Sequence, residues 1–114
     1  MKDCIFCRIA RGDIPSSKVY ETERVVAFDD INPMAPVHVI VIPKEHIATL
    51  MEITETEGGL MTEIVAAVQE AARLKGVDRT GFRVVVNCNE DGGQVIFHLH
   101  VHVLGGRKLQ DELG

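Results

Sequence analysis

The sequence predicts an α+β domain: a mostly antiparallel five-stranded sheet, one long helix, and a short helix at the amino terminus. Three observations carry that prediction. Apolar residues take a sustained helical spacing once, from about Thr54 to Lys75. Elsewhere, β-branched and alternating runs recur between Pro and Gly boundaries. No linker, repeat or low-complexity stretch divides the chain, so residues 1–114 read as one domain, against ~100–200 residues for a typical one.

Each element has its own reason. Ile5-Phe6-Cys7-Arg8-Ile9-Ala10 has the spacing of a short helical turn, which Arg11-Gly12-Asp13 and then Pro15 end. Lys18-Val19-Tyr20-Glu21 and Arg24-Val25-Val26-Ala27-Phe28 flank Thr22-Glu23 as the arms of a β-hairpin. Asp29 to Pro36 is a loop holding two prolines. Val37-His38-Val39-Ile40-Val41-Ile42 is nearly all apolar, as a central strand should be, and Pro43 closes it.

In the long helix, Thr54 and Glu57 make a capping-box pattern. Leu60, Met61, Ile64, Val65, Val68, Ala71 and Ala72 then share one face, and Gly76 follows the last turn. Phe82, Val84, Val86 and Cys88 alternate with Arg83, Val85 and Asn87, which predicts a half-buried strand. Asn89-Glu90-Asp91-Gly92-Gly93 is a turn that could face an anion. Phe97 to Leu104 is the last strand, and Gly105-Gly106 ends it.

Composition excludes several classes of function. With 46% hydrophobic and 25% charged residues, the chain is globular rather than disordered. A net charge of −5 leaves no footprint for a nucleic-acid polymer or an anionic membrane. No run approaches the ~18 apolar residues of a membrane span, and Met1-Lys2-Asp3-Cys4 does not open a signal peptide. Three cysteines, an odd number, argue against a disulfide framework and for the reducing cytoplasm.

The unusual feature is histidine. His98, His100 and His102 alternate with Leu99, Val101 and Val103. On a strand the imidazoles share one face, neighbours roughly 6–7 Å apart, and the aliphatics pack on the other. One such His is more often a solvated or satisfied side chain, but a generic polar face would use Thr, Lys or Glu. Two kinds of site remain. A metal needs converging ligands, which alternate strand positions supply poorly. Alternatively one imidazole is a nucleophile toward phosphorus and its neighbours hold the anion. Gly92-Gly93-Gln94 just upstream could offer backbone N–H groups to phosphate oxygens.

The segment His98-Leu99-His100-Val101-His102-Val103-Leu104 resembles the signature of the histidine triad (HIT) family. Gly105-Gly106-Arg107 is similar to its Hint branch rather than to the diadenosine polyphosphate hydrolases. A third His, where the nucleotidyltransferases carry Gln, separates it from that branch. Cys4-Ile5-Phe6-Cys7-Arg8-Ile9, Gly12-Asp13-Ile14-Pro15, Phe28-Asp29-Asp30-Ile31-Asn32-Pro33 and Pro36 to His46 extend the resemblance over nearly the whole chain.

The resemblance implies a HIT-like fold and a purine nucleoside phosphoramidase. His100 is then the nucleophile that forms a nucleotidyl-histidine, His102 holds a phosphate oxygen, and His38 supports both. Asp30 matches the residue that binds the ribose hydroxyls, with Phe28 and Ile31 walling the base pocket. Asn87 and the Gly93-Gln94 backbone match the phosphate contacts. The substrates implied are AMP or GMP phosphoramidates, and the assembly implied is a homodimer. Cys4-x-x-Cys7 alone is a moderate metal signal. The family's Cys-x-x-Cys members complete a structural zinc site with residues matching His46 and His98, His38 being the alternative to His46. Cys88 has no partner in that pattern.

Two departures stand out. Val95 occupies the position where the Hint pattern commonly has Ser, and the tail from Lys108 to Gly114 lacks the Trp-Pro-Pro ending of animal members. Two further readings therefore compete: a dinucleoside polyphosphate hydrolase, which Val95 favours, and a nucleotide-binding regulatory module with incidental hydrolysis.

Overall fold

The computed structural model describes residues 4–113; Met1 to Asp3, on which the signal-peptide reading falls, and Gly114 of the tail lie outside them. The chain folds as the short helix α1 (Ile5–Arg11), strands β1 (Lys18–Glu21), β2 (Val25–Asp29) and β3 (Val37–Pro43), the long helix α2 (Gly58–Leu74), then β4 (Phe82–Val85) and β5 (Val101–Gly105). All neighbouring strands are antiparallel in one sheet of order β1-β2-β3-β5-β4. This is the α+β architecture the sequence predicts. Among the described residues, no helix is long and apolar enough to cross a membrane.

The strands sort their side chains by parity. Val25, Ala27, Val39, Val41, Val101 and Val103 face α2, which buries Leu60, Ile64, Ala67, Val68 and Ala71 against them. Each Leu or Ile buried this way stabilises the fold by about 1.5–3 kcal/mol relative to exposure. On the opposite face Val26, Phe28, Ile40 and Ile42 pack with Phe6 and Ile9 of α1. One layer is therefore structural, and the other is open enough to hold a site.

The expected long helix differs at its start and on its face. Thr54 to Glu57 form a capped 3₁₀ turn, with the Glu57 carboxylate accepting the Thr54 N–H at 3.2 Å, and α-helical geometry begins only at Gly58. The glycine pair that follows this acidic cap is a poor α-former, so the tighter turn takes the first residues. Ala67 is buried and Val65 is 53% exposed, because the sheet meets a stripe rotated from the one expected. The helix ends as predicted: Gly76 has φ +74°, its N–H bonds to Arg73 O, and the Val77 N–H reaches Ala72 O.

Two strands are shorter than expected. β4 stops at Val85, and as the edge strand it leaves Phe82 and Val84 exposed rather than half-buried. β5 begins at Val101, not Phe97. Its partner β3 ends at Pro43, which lacks an N–H to continue the ladder. Residues 97–100 instead run beside the segment after β3, where the Leu99 N–H bonds to Ile47 O at 2.6 Å.

Candidate functional site

The alternation of the histidine run survives outside the ladder. Leu99 is buried in the helix-side core with Val101 and Val103. His98 and His100 turn the other way and meet the Phe6 ring edge-on, with centroids 5.9 and 5.1 Å apart. Register places His102 beside Ile40 and His38 beside Leu104, so His38 and His102 are diagonal neighbours on that face. Their rings lie 5.1 Å apart, and His100 lies 5.0 Å from His102.

Backbone atoms assign a proton to each of these rings. Met34 N–H donates to His38 Nδ1 at 3.0 Å, so the His38 proton sits on Nε2. That N–H points at His102 Nδ1, 2.9 Å away, with Asp30 Oδ2 at 3.4 Å as the longer alternative. His102 therefore carries its own proton on Nε2. His100 Nδ1 lies 2.8 Å from His98 O, an obligate acceptor, so His100 keeps a lone pair on Nε2. His98 Nε2 donates in the same way to Pro43 O at 2.8 Å, which frees its Nδ1.

Burial favours the neutral rings this network needs. It lowers His38 despite the carboxylate of Asp30, and it lowers His98 despite the Pro43 carbonyl. His102 falls from 6.5 to about 4, by burial first and then by the neighbouring imidazoles His100 and His38. One ring thus presents a lone pair on Nε2 and another an N–H donor.

An apolar cavity of about 290 Å³ adjoins this cluster. Phe6, Ile9, Phe28, Ile31 and Ile40 line it, together with Asp30. Phe28 is buried, while Ile31 is 90% exposed and forms the rim. One Asp30 oxygen accepts the Asn32 N–H at 2.8 Å, which is the turn-capping role, and the other is the one near His38. Ile96, at the end of the loop after β4, also lines the cavity. In that loop the Gly93 N–H bonds to Glu90 O and the Gln94 N–H to Asn89 O, so both amides expected to face phosphate are engaged within the turn. The Val95 N–H has no internal partner among the described residues, and its side chain is 86% exposed. Asn87 lies at the entry to this loop, its backbone beside Gly92.

A second cluster gathers at α1. The sulfurs of Cys4 and Cys7 and one nitrogen each of His46 and His98 all lie within 4.8 Å of one another. Cys4 Sγ and Cys7 Sγ are 3.3 and 3.5 Å from His98 Nδ1, and Cys7 Sγ is 3.2 Å from His46 Nδ1. Two sulfurs and two imidazole nitrogens facing one point fit a closed tetrahedral metal centre. His98 contributes the nitrogen that Pro43 leaves free. The expected His46 is in the set. His38 is not; it groups with Asp30 and His102. Without a cation, burial and the Cys4 sulfur push the Cys7 thiol up. All three cysteines are free thiols, and Cys88 is half-buried away from both clusters.

Sequence reasoning missed two residues. Phe6 sits between the cysteines in sequence and its ring bridges the two clusters, a role its position hints at. Gln94 was expected to act through its backbone. Its side chain is the staple, donating to Ala48 O and Ile96 O and accepting the Asn89 N–H. No local pattern signals that.

A histidine cluster of fixed tautomers thus lies on the face of the antiparallel sheet opposite α2. The HIT domain family matches residues 11–109. A histidine triad protein from Clostridium difficile superposes with a TM-score of 0.95 at 50% identity, covering 99% of this chain and 98% of that one. A HIT family hydrolase from Legionella pneumophila Philadelphia 1 superposes at 0.95 with 40% identity, over 98% of this chain and 100% of that one. A histidine triad nucleotide-binding protein from Candida albicans gives 0.81 at 31% identity, over 98% and 87%. The chain belongs to the HIT family.

Proposed function

We propose that this HIT protein is a Hint-type hydrolase of purine nucleoside 5′-phosphoramidates, with AMP or GMP as the nucleotide moiety. The observation that carries the reading is the bond from His100 Nδ1–H to His98 O, which leaves a lone pair on Nε2. The base enters the apolar cavity, and Asp30 takes the ribose hydroxyls. His100 Nε2 attacks the α-phosphorus: a P–N bond to His100 forms, the bond to the amine breaks, and the amine leaves with a proton from solvent. His102 Nε2–H and the Val95 N–H hold non-bridging oxygens. Water then attacks phosphorus, gives up a proton, and releases the nucleotide with His100 restored. Fixed donors facing the developing charge lower the barrier because they need no reorganisation.

Trapping an adenylyl adduct on His100 tests this directly. The wild type forms the adduct and turns it over, and His100→Ala forms none. A protein that binds AMP but forms no adduct from any nucleotide substrate is the regulatory module instead. Val95 supplies no hydroxyl to protonate an amine, which favours the second reading, a dinucleoside polyphosphate hydrolase. Parallel kcat/KM measurements on both substrate classes separate the two.

The Cys4, Cys7, His46 and His98 set is read as one structural zinc site per chain, since two thiolates and two imidazoles suit that ion. Less than a tenth of an equivalent of zinc in chelator-free protein ends that reading. The exposed apolar edge of β4, with Phe82 and Val84, supports a homodimer, which sedimentation tests. Free thiols in such a site suit the cytoplasm.

A further inference from the structure

The two histidine clusters share one residue. His98 offers its side chain to the metal centre and its carbonyl to His100. Its ring is fully buried and held at both ends: Nε2 donates to Pro43 O, while Nδ1 faces the Cys4 and Cys7 sulfurs. No ladder fixes this stretch, because β5 starts at Val101. The His98 carbonyl shares its peptide unit with the Leu99 N–H, which Ile47 O holds at 2.6 Å, so its orientation depends on the His98 side-chain anchor and on the segment that follows His46. A second link runs in parallel. Phe6 lies in α1 between the two cysteines and packs edge-on against both His98 and His100.

We propose that His98 is a positioning residue through which the metal centre sets the tautomer and aim of His100. Held by Nδ1 at the Cys4–Cys7–His46 site, His98 keeps its carbonyl on His100 Nδ1–H, and the lone pair stays on Nε2. Released from that site, the His98 side chain keeps only Pro43 O, and the Ile47 carbonyl that holds the Leu99 N–H follows a His46 that is no longer fixed. His100 then samples the other tautomer, whose Nε2 carries a proton and cannot attack. A purely structural metal would stabilise the fold without touching this proton.

This inference rests on His100 being the nucleophile, yet its first readout does not require turnover. Nitrogen-15 spectra of the His100 ring are recorded for zinc-loaded protein, for chelator-treated protein and for His46→Ala. The loaded protein shows one species protonated at Nδ1, and the depleted forms show a mixture. The rate of adduct formation at saturating substrate, where affinity drops out, falls by roughly tenfold, the factor that ~1.4 kcal/mol represents. An unchanged His100 tautomer in folded, metal-depleted protein overturns the proposal, as does a saturated rate within about twofold. So does failure to take up zinc at all.

Should depletion unfold the chain, cobalt-loaded protein decides. Replacing His100 by Ala removes the donor from the His98 carbonyl and shifts the cobalt d–d bands, and unchanged bands overturn the coupling. Absence of any adduct in loaded protein, with the metal-dependent tautomer intact, instead defeats only the reading of His100 as nucleophile.

Discussion

Acidification combined with His102→Gln probes whether the site is built for neutral imidazoles. In the folded protein His102 titrates at about 4 instead of 6.5, chiefly because it is buried. Between those values the unfolded chain binds a proton that the native state excludes. Stability is therefore complete above pH 6.5, declines as pH falls toward 4, and levels off below. A gap of about 2.5 pH units at ~1.4 kcal/mol per unit sets a ceiling near 3.4 kcal/mol, and partial exposure of the ring brings this to about 2–3 kcal/mol. His38 and His98 shift in the same direction and steepen the whole-protein slope, so the variant is needed to isolate one ring. Gln can still accept the His38 Nε2–H through its amide oxygen, and it does not titrate. Urea unfolding at pH 7, 6, 5 and 4, with both proteins carrying the same metal content, gives the difference. The wild type is expected to lose about 2–3 kcal/mol more than His102→Gln. A difference below about 1 kcal/mol would refute the idea that burial holds His102 neutral.

Three further changes test other parts of the structure. Gln94→Ala removes three hydrogen bonds from a buried amide and is expected to cost about 1–3 kcal/mol, read as a lower urea midpoint; an unchanged midpoint means the loop after β4 holds itself. Gly106→Ala places a Cβ 2.9 Å from Pro36 Cβ at a φ of +93°, and is expected to lose about 1–3 kcal/mol, visible as a lower Tm. Val95→Ser changes an exposed side chain, so stability should stay within about 0.5 kcal/mol. Its kcat/KM for an adenosine phosphoramidate should rise roughly tenfold, short of the ~10²–10⁴ of an ideally placed proton donor; no rise removes Val95 as the reason for weak amine expulsion.

Local chemistry in the sequence accounts for what could be read there. The Gly12 stop of α1, the Thr22-Glu23 hairpin and the Gly76 cap are each decided within a few residues, and each is where expected. What depends on partners distant in sequence was not legible. The start of β5 is set by Pro43, more than fifty positions earlier, where the neighbouring strand runs out of donors. Ala67 and Val65 exchange roles on α2 because the angle at which the helix meets the sheet belongs to the assembled layers, not to the helix. In the site, alternation placed the three imidazoles on one face, but spacing could not say which nitrogen of each bears a proton. Met34, His98 and Pro43 decide that with backbone atoms carrying no residue-type signature.

Alternation in the histidine run has a consequence for folding fidelity. A slip of one position would drive His98, His100 and His102 into the dry layer under α2 and push Leu99, Val101 and Val103 into the open. Losing burial of three aliphatics at about 1.5–3 kcal/mol each is comparable with the ~5–15 kcal/mol that holds a whole domain together. Three unpartnered imidazoles would add to that penalty. A compact molecule with misaligned histidines is thus not a stable product of this chain. Specific activity per folded molecule should stay constant across preparations and destabilising backgrounds, and total activity should fall only as the folded fraction falls.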